Sequence, residues 1–169
     1  MVSQTLNPVE ACKEVMSTVA SGVAVLTFAD DLGAMRGMTI SSLTPVSADP
    51  PSVLMCIGGR ASCLPSLKVG RVVVANVLGA DQGAMSAGFA YGDDDPFTLF
   101  PWTRGGDGPP ILDEAPAFLV GSVERIVEHH GTAVVLVGVL GGEVRHPDAL
   151  VYWRKAYHRA QPLGEGGKW

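Results

Sequence analysis

The chain has 169 residues, 47% of them hydrophobic and 17% charged, with a formal net charge of -5. That profile fits one globular domain, large enough to bury a core without metal or disulfide support, and excludes an intrinsically disordered chain. The acidic balance and the lack of a Lys/Arg stripe argue against nucleic acid as a partner, and apolar runs no longer than a strand argue against a membrane span. Cys12, Cys56 and Cys63 have no metal-type spacing and read as reduced thiols, and the first residues lack the basic-then-apolar pattern of a signal peptide. A cytoplasmic protein is the expectation.

The first predicted element is a helix. Asn7 can cap it, Pro8 suits its first position, and Glu10 stands where a capping box wants an acid. Val9, Cys12, Val15, Met16 and Val19 then recur on one face. "VAVLTFA" at 23–29 is strand-like, and "DDLG" at 30–33 turns the chain into a returning strand. In "RGMTISSLTPVSADPPSVLMCI", residues 36–57, Met38, Ile40 and Leu43 alternate with the hydroxyls of Thr39, Ser41 and Ser42. Pro50-Pro51 presets the turn into "PSVLMCI", whose continuous apolar character predicts burial on both faces. A Gly-rich break follows, with a short helical turn at 64–68. "RVVVANVL" at 71–78 is a strand and "DQGAMSAGFA" at 81–90 a helix. Residues 92–113 read as a surface excursion. The segments 117–130 and 131–144 form two long strands with a turn near His129–Gly131. "ALVYWRKAYHR" at 149–159 closes a core of about residues 8–159, and 160–169 read as a tail. This is one domain, mainly β with short helices, in an antiparallel barrel or sandwich.

Familiar catalytic motifs are missing. There is no G-x-G-x-x-G after a strand and no P-loop. "AMSAG" at 84–88 falls short of a nucleophile elbow, with Ala84 where the first glycine belongs and a helical context. His129 and His130 are adjacent and, on a strand, would point to opposite faces, so no metal site is expected. Any redox chemistry would come from a bound organic cofactor.

Four blocks, in order, carry a resemblance: "SGVAVLT" at 21–27, the 36–57 stretch, "RVVVANVLGADQGAMSAGFA" at 71–90, and 149–159. Together they resemble the flavin reductase-like family, the reductase components of two-component monooxygenases. The resemblance implies an FMN-binding split β-barrel of Greek-key type, usually a homodimer. It implies hydride transfer from NADH or NADPH to FMN or FAD, with reduced flavin passed to a partner flavin-dependent monooxygenase. On that basis Met38, Thr39, Ile40, Ser41 and Ser42 lie along the flavin ring. Cys56, Ile57, Arg60, Ser62 and Cys63 belong to the strand end and loop that hold the flavin phosphate. Asn76, Ala80 and Gln82 follow a strand that approaches the flavin, and Tyr157 lies near the pocket. His158 and Arg159 are candidate nicotinamide contacts, and no obligatory acid or base is assigned.

Bland alternatives stand beside these roles. Ser41 and Ser42 would serve equally to hydrogen-bond along a barrel rim, Asn76 to satisfy buried backbone, and His158-Arg159 to form a solvated strand end. Relatives often carry a histidine before the strand matching "VVLVG"; here that position is Ala133. Loss of that histidine motivates a second reading, a flavin-retaining oxidase or oxygenase acting on a bound organic substrate. A third reading is a non-catalytic flavin-binding protein.

Overall fold

The structure is a computed structural model and describes residues 6–104, 108–162 and 164. Most of the expected tail, the middle of the 92–113 segment and the first five residues lie outside that range. Helix α1 spans Pro8–Ser17, and its capping box is complete. The Asn7 side chain accepts from the amides of Val9 and Glu10, and the Asn7 amide donates to the Glu10 carboxylate. These bonds satisfy amides that have no partner within the helix. The apolar stripe of α1, in contrast, meets no core. None of its residues is buried, and Val9, Val15, Met16 and the following Val19 are each more than half exposed.

After β1 (Ser21–Gly22), strands β2 (Ala24–Ala29), β3 (Met35–Ile40), β4 (Thr44–Ala48), β5 (Pro51–Gly58) and β6 (Val72–Val77) form most of the sheet. Past β6 come helices α2 (Gly83–Tyr91) and α3 (Pro96–Leu99) and the short pair β7 (Trp102–Arg104) and β8 (Pro110–Leu112). The long hairpin β9 (Ala117–His129) and β10 (Thr132–Val144) turns at His130 and Gly131, both at positive φ. Two consecutive left-handed residues match the right-handed twist of a two-residue hairpin. Strands β11 (Leu150–Trp153) and β12 (Ala156–Arg159) end the fold.

Seven strands form one antiparallel sheet in the order β3-β2-β6-β9-β10-β5-β4, and β1, β11 and β12 form a separate three-stranded sheet. Register shifts at Leu136/Val137 and Val139/Gly141 bend the β9–β10 hairpin. The rolled sheet encloses Leu26, Phe28, Met55, Ile57 and Val135. The free edges of the sheet are β3 and β4, and a side chain extends the β4–β5 pairing two residues beyond Thr44 and Leu54. The Ser42 hydroxyl accepts from the Cys56 amide (2.9 Å) and donates to the Cys56 carbonyl (3.1 Å).

Two expectations are corrected. Strand β5 alternates, with Val53, Met55 and Ile57 inward while Ser52 and Leu54 are half-buried and Cys56 is exposed, because among the described residues its outer face is only partly covered. The doubly buried strands are β2 and β6, whose second face carries another core of Val23, Val25, Leu78, Met85 and Leu112. That second core also corrects the surface-excursion reading of 92–113. Phe97, Phe100 and Trp102 pack against it, Leu112 is fully buried, and Phe89 of α2 meets Phe97 edge-on at 5.2 Å. Gly37 on β3 permits this docking, since a Cβ there would stand 2.6 Å from the Phe89 ring. Among the described residues no helix is long and apolar enough to cross a membrane.

Candidate functional site

Strand β3 pairs with β2 on one side only, which leaves the backbone groups of its other edge open to a ligand. Three hollows follow this edge. One of about 290 Å³ lies between Met38, the 60–63 loop and Ala90 of α2. One of about 190 Å³ lies between Thr39, Ser41, Ser86 and the rings of Tyr152 and Tyr157. One of about 650 Å³ lies past Ser41, Ser42 and Cys56. The first two share Thr39 and Ala90, and the last two share Ser41 and Tyr152, so they form one groove.

Several expected residues converge on it. Met38 is half-buried, with its sulfur 3.2 Å from the Cys63 Sγ, and burial pushes the Cys63 thiol pKa upward. The Thr39 hydroxyl donates to the Ser86 carbonyl at 2.6 Å. Ser41 is exposed to the groove, and Arg60 and Ser62 stand exposed on the loop at its end. Among the described residues the amides of Arg60, Ser62 and Cys63 donate to no backbone carbonyl, whereas those of Gly59 and Ala61 do. Tyr157 walls the middle hollow and shares a 2.8 Å hydrogen bond with the Ser86 hydroxyl.

Other expected residues are engaged elsewhere. The side chains of Ile40 and Ile57 are core, so these two residues offer a ligand only backbone. Ser42 spends its hydroxyl on Cys56, which is the rim role rather than a free ligand contact. Asn76 is fully buried and fully paired. It donates to the Val25 carbonyl and the Thr27 hydroxyl and accepts from the Leu112 amide, which leaves no polar atom for a cofactor. The Ala80 amide donates to Asp148, and Gln82 bonds the Gly79 amide and the Glu114 carbonyl. Arg159 is held by Asp81 at 2.7 Å and Asp148 at 3.5 Å, while His158 lies edge-on to Trp153. None of Asn76, Ala80, Gln82, His158 and Arg159 lines the groove. Ala133 is 2% exposed with its side chain in the barrel core, so a ring at that position could not face a ligand.

Ser86 and Tyr152 are groove residues that sequence reasoning missed. The serine sat within "AMSAG", where it was weighed only as a nucleophile; its buried hydroxyl instead anchors Tyr157.

Comparison with known proteins fixes the family. Residues 16–161 match the flavin reductase like domain. The chain belongs to that family. It is 29% identical over 165 residues to a probable flavin reductase of Rhizobium meliloti, covering 98% of this chain and 53% of that protein. The chain therefore spans about half the length of the curated relatives from that organism. It is 28% identical to the reductase subunit HsaB of a flavin-dependent monooxygenase from Rhodococcus jostii, covering 89% of this chain and 77% of that one. Among solved structures it superposes on the NADH:FAD oxidoreductase SgcE6 of Streptomyces globisporus, determined with NAD and FAD fragments. The TM-score is 0.84 at 26% identity, and the match covers 96% of this chain and all of that one. The fold is thus the split barrel of flavin reductases.

Proposed function

We propose that this chain is an NAD(P)H:flavin oxidoreductase that takes FMN or FAD and supplies reduced flavin to a partner monooxygenase. The observation that carries this reading is the single groove along the open edge of β3, with Ser41 at its middle and unspent amides beside Arg60 at one end. A flavin needs a flat wall, a few donors for the ring and a cationic, amide-rich end for its phosphate, and these residues fit. Met38, Thr39 and Ser41 would lie along the ring, and Arg60, Ser62 and the Cys63 amide would hold the phosphate. When bound, the flavin supplies hydride acceptance from the nicotinamide. The chain's own task is then to hold two planar rings in register and keep bulk water from between them, which needs no protein acid or base. Tyr157, fixed by Ser86, and Tyr152 supply rigid walls for that alignment.

The same reading includes a homodimer. It is supported by the uncovered apolar stripe of α1, whose burial against a second copy would remove Val9, Val15 and Met16 from water. A cytoplasmic setting agrees with three free cysteines. The direct test is anaerobic mixing of the protein with FMN or FAD and NADH or NADPH, followed at the flavin absorption band. Bleaching well above the protein-free rate is expected. Bound flavin with no acceleration by either nucleotide would sink the reductase reading and favour the oxidase or carrier alternatives.

A further inference from the structure

Three elements around the groove meet at one residue, Ser86 of α2, which is fully buried. Its carbonyl accepts from the Thr39 hydroxyl of β3 at 2.6 Å, and its hydroxyl shares a 2.8 Å hydrogen bond with the Tyr157 hydroxyl of β12. The backbone and side chain of one residue thus hold two opposite walls of the middle hollow, the smallest of the three at about 190 Å³. Helix α2 is a fixed reference, because Met85 and Phe89 anchor it in the second core. Strand β12 is less constrained, since it lies at the edge of the small sheet and pairs with β11 alone. Arg159 also ties β12, to Asp81 and Asp148, but it does not line the groove. The Tyr157 ring rests against the first turn of α2, where a Cβ on Gly83 would stand 3.4 Å from it, and meets the Tyr152 ring at 5.7 Å. Tyr157 is 39% exposed, so its ring can swing toward water once the hydroxyl bond is lost.

We propose that Ser86 is a positioning residue: acting through Tyr157, it fixes the width of the middle hollow and with it the place of the planar ring that lies there. The proposal rests on the flavin-reductase reading. In that reaction a hydrogen leaves the reduced nicotinamide with its electron pair and is taken up by the flavin, so one is oxidised as the other is reduced. Such a transfer depends steeply on how the two rings are spaced and tilted. Affinity for the flavin is spread along the groove, from Arg60 to Ser41, and depends little on one wall. Ser86 therefore governs the rate within the loaded complex rather than how tightly that complex forms.

The test compares the wild type with Ser86→Ala, Tyr157→Phe and the double variant, each loaded with FMN or FAD. One readout is the visible circular dichroism of the bound flavin, which reports ring placement without any turnover. The other is the limiting rate of anaerobic flavin reduction at saturating NADH or NADPH. Both single variants should change the dichroism band and lower the limiting rate about tenfold, with flavin affinity held within about twofold. The double variant should match the singles, because each alone already removes the same bond. Tyr157→Phe deletes only a hydroxyl from an exposed ring, so it decides the matter even where Ser86→Ala fails to fold. An unchanged dichroism band in Tyr157→Phe overturns the proposal, as do losses that add in the double variant or that fall on flavin affinity alone. Each of these results leaves the reductase reading intact. Altered dichroism in the variants, with a wild type that does not accelerate reduction, would sink that reading and keep the positioning role.

Discussion

Ser41 and Ser42 are neighbours with the same hydroxyl, yet the fold gives them different work. Ser42 extends the β4–β5 pairing through both backbone groups of Cys56, whereas Ser41 is exposed along the groove. Ser42→Ala should therefore cost about 1 kcal/mol of stability in a denaturant titration. Ser41→Ala should leave stability unmoved and weaken flavin binding. If the two substitutions behaved alike in both assays, this division would be wrong. Asn76 makes the same point from inside. Its amide joins β2, β6 and β8, so Asn76→Ala strands the Leu112 amide in the core and takes a donor from the Val25 carbonyl and the Thr27 hydroxyl, which keeps its bond to the Pro110 carbonyl. A loss of roughly 2–4 kcal/mol is expected, with flavin affinity per folded molecule unchanged. Weakened flavin binding in a variant of native stability would return Asn76 to the site. In the sequence an asparagine inside "RVVVANVL" reads the same whether it serves a cofactor or the core. What decides is a partner amide at Leu112, and no local pattern reports a contact across that distance.

At the scale of elements, what was legible tracks how local the cause is. The α1 cap needs only Asn7, Pro8 and Glu10, and it was readable in full. The turn between β9 and β10 was readable from Gly131. The two faces of a strand were not, because burial depends on what covers the sheet. "PSVLMCI" lacks alternation yet buries one face only, while β2 buries both because α2 together with Phe97, Phe100, Trp102 and Leu112 closes over it. Side-chain direction was hidden for a related reason at Ala133. Its position on β10 opposite Ile57 sends the side chain inward, among Met55, Ile57 and Val135. Ala133→His would thus force an imidazole into a packed core and cost roughly 3 kcal/mol. The expected result is a lowered melting temperature and no gain in apparent NADH affinity. A stable variant with tighter NADH binding would show that β10 presents this position to the groove after all.

Over the whole molecule, charge is spent on joining distant pieces of chain. Asp30 and Asp31 occupy the β2–β3 turn; Arg36 holds Asp30, and Lys68 and Arg71 reach Asp31 from the segment before β6. Arg71 also donates to the Ala29 carbonyl, so this cluster fastens the far end of the hairpin that carries the groove strand. Both carboxyls sit below the ordinary aspartate value of 3.8. The hydrogen bond from Arg36 is the main cause for Asp30; for Asp31 it is the bond from Lys68, followed by that from Arg71. A carboxylate with a depressed folded pKa binds fewer protons folded than unfolded, so its stabilisation is complete above the unfolded value and drains away as pH falls through the folded one. The wild type should therefore lose melting temperature more steeply than Asp31→Asn as the pH is lowered from 5 to about 2. Near pH 7 the wild type should keep a small lead, small because the pairs are solvated and such surface pairs are individually weak, and the two should converge as Asp31 takes up its proton. Molar salt should narrow the neutral-pH gap, since screening acts on exposed charges first. Parallel melting curves across that range would mean that the hairpin is held by Arg71 and the Ala29 carbonyl alone, with the carboxylates as bystanders.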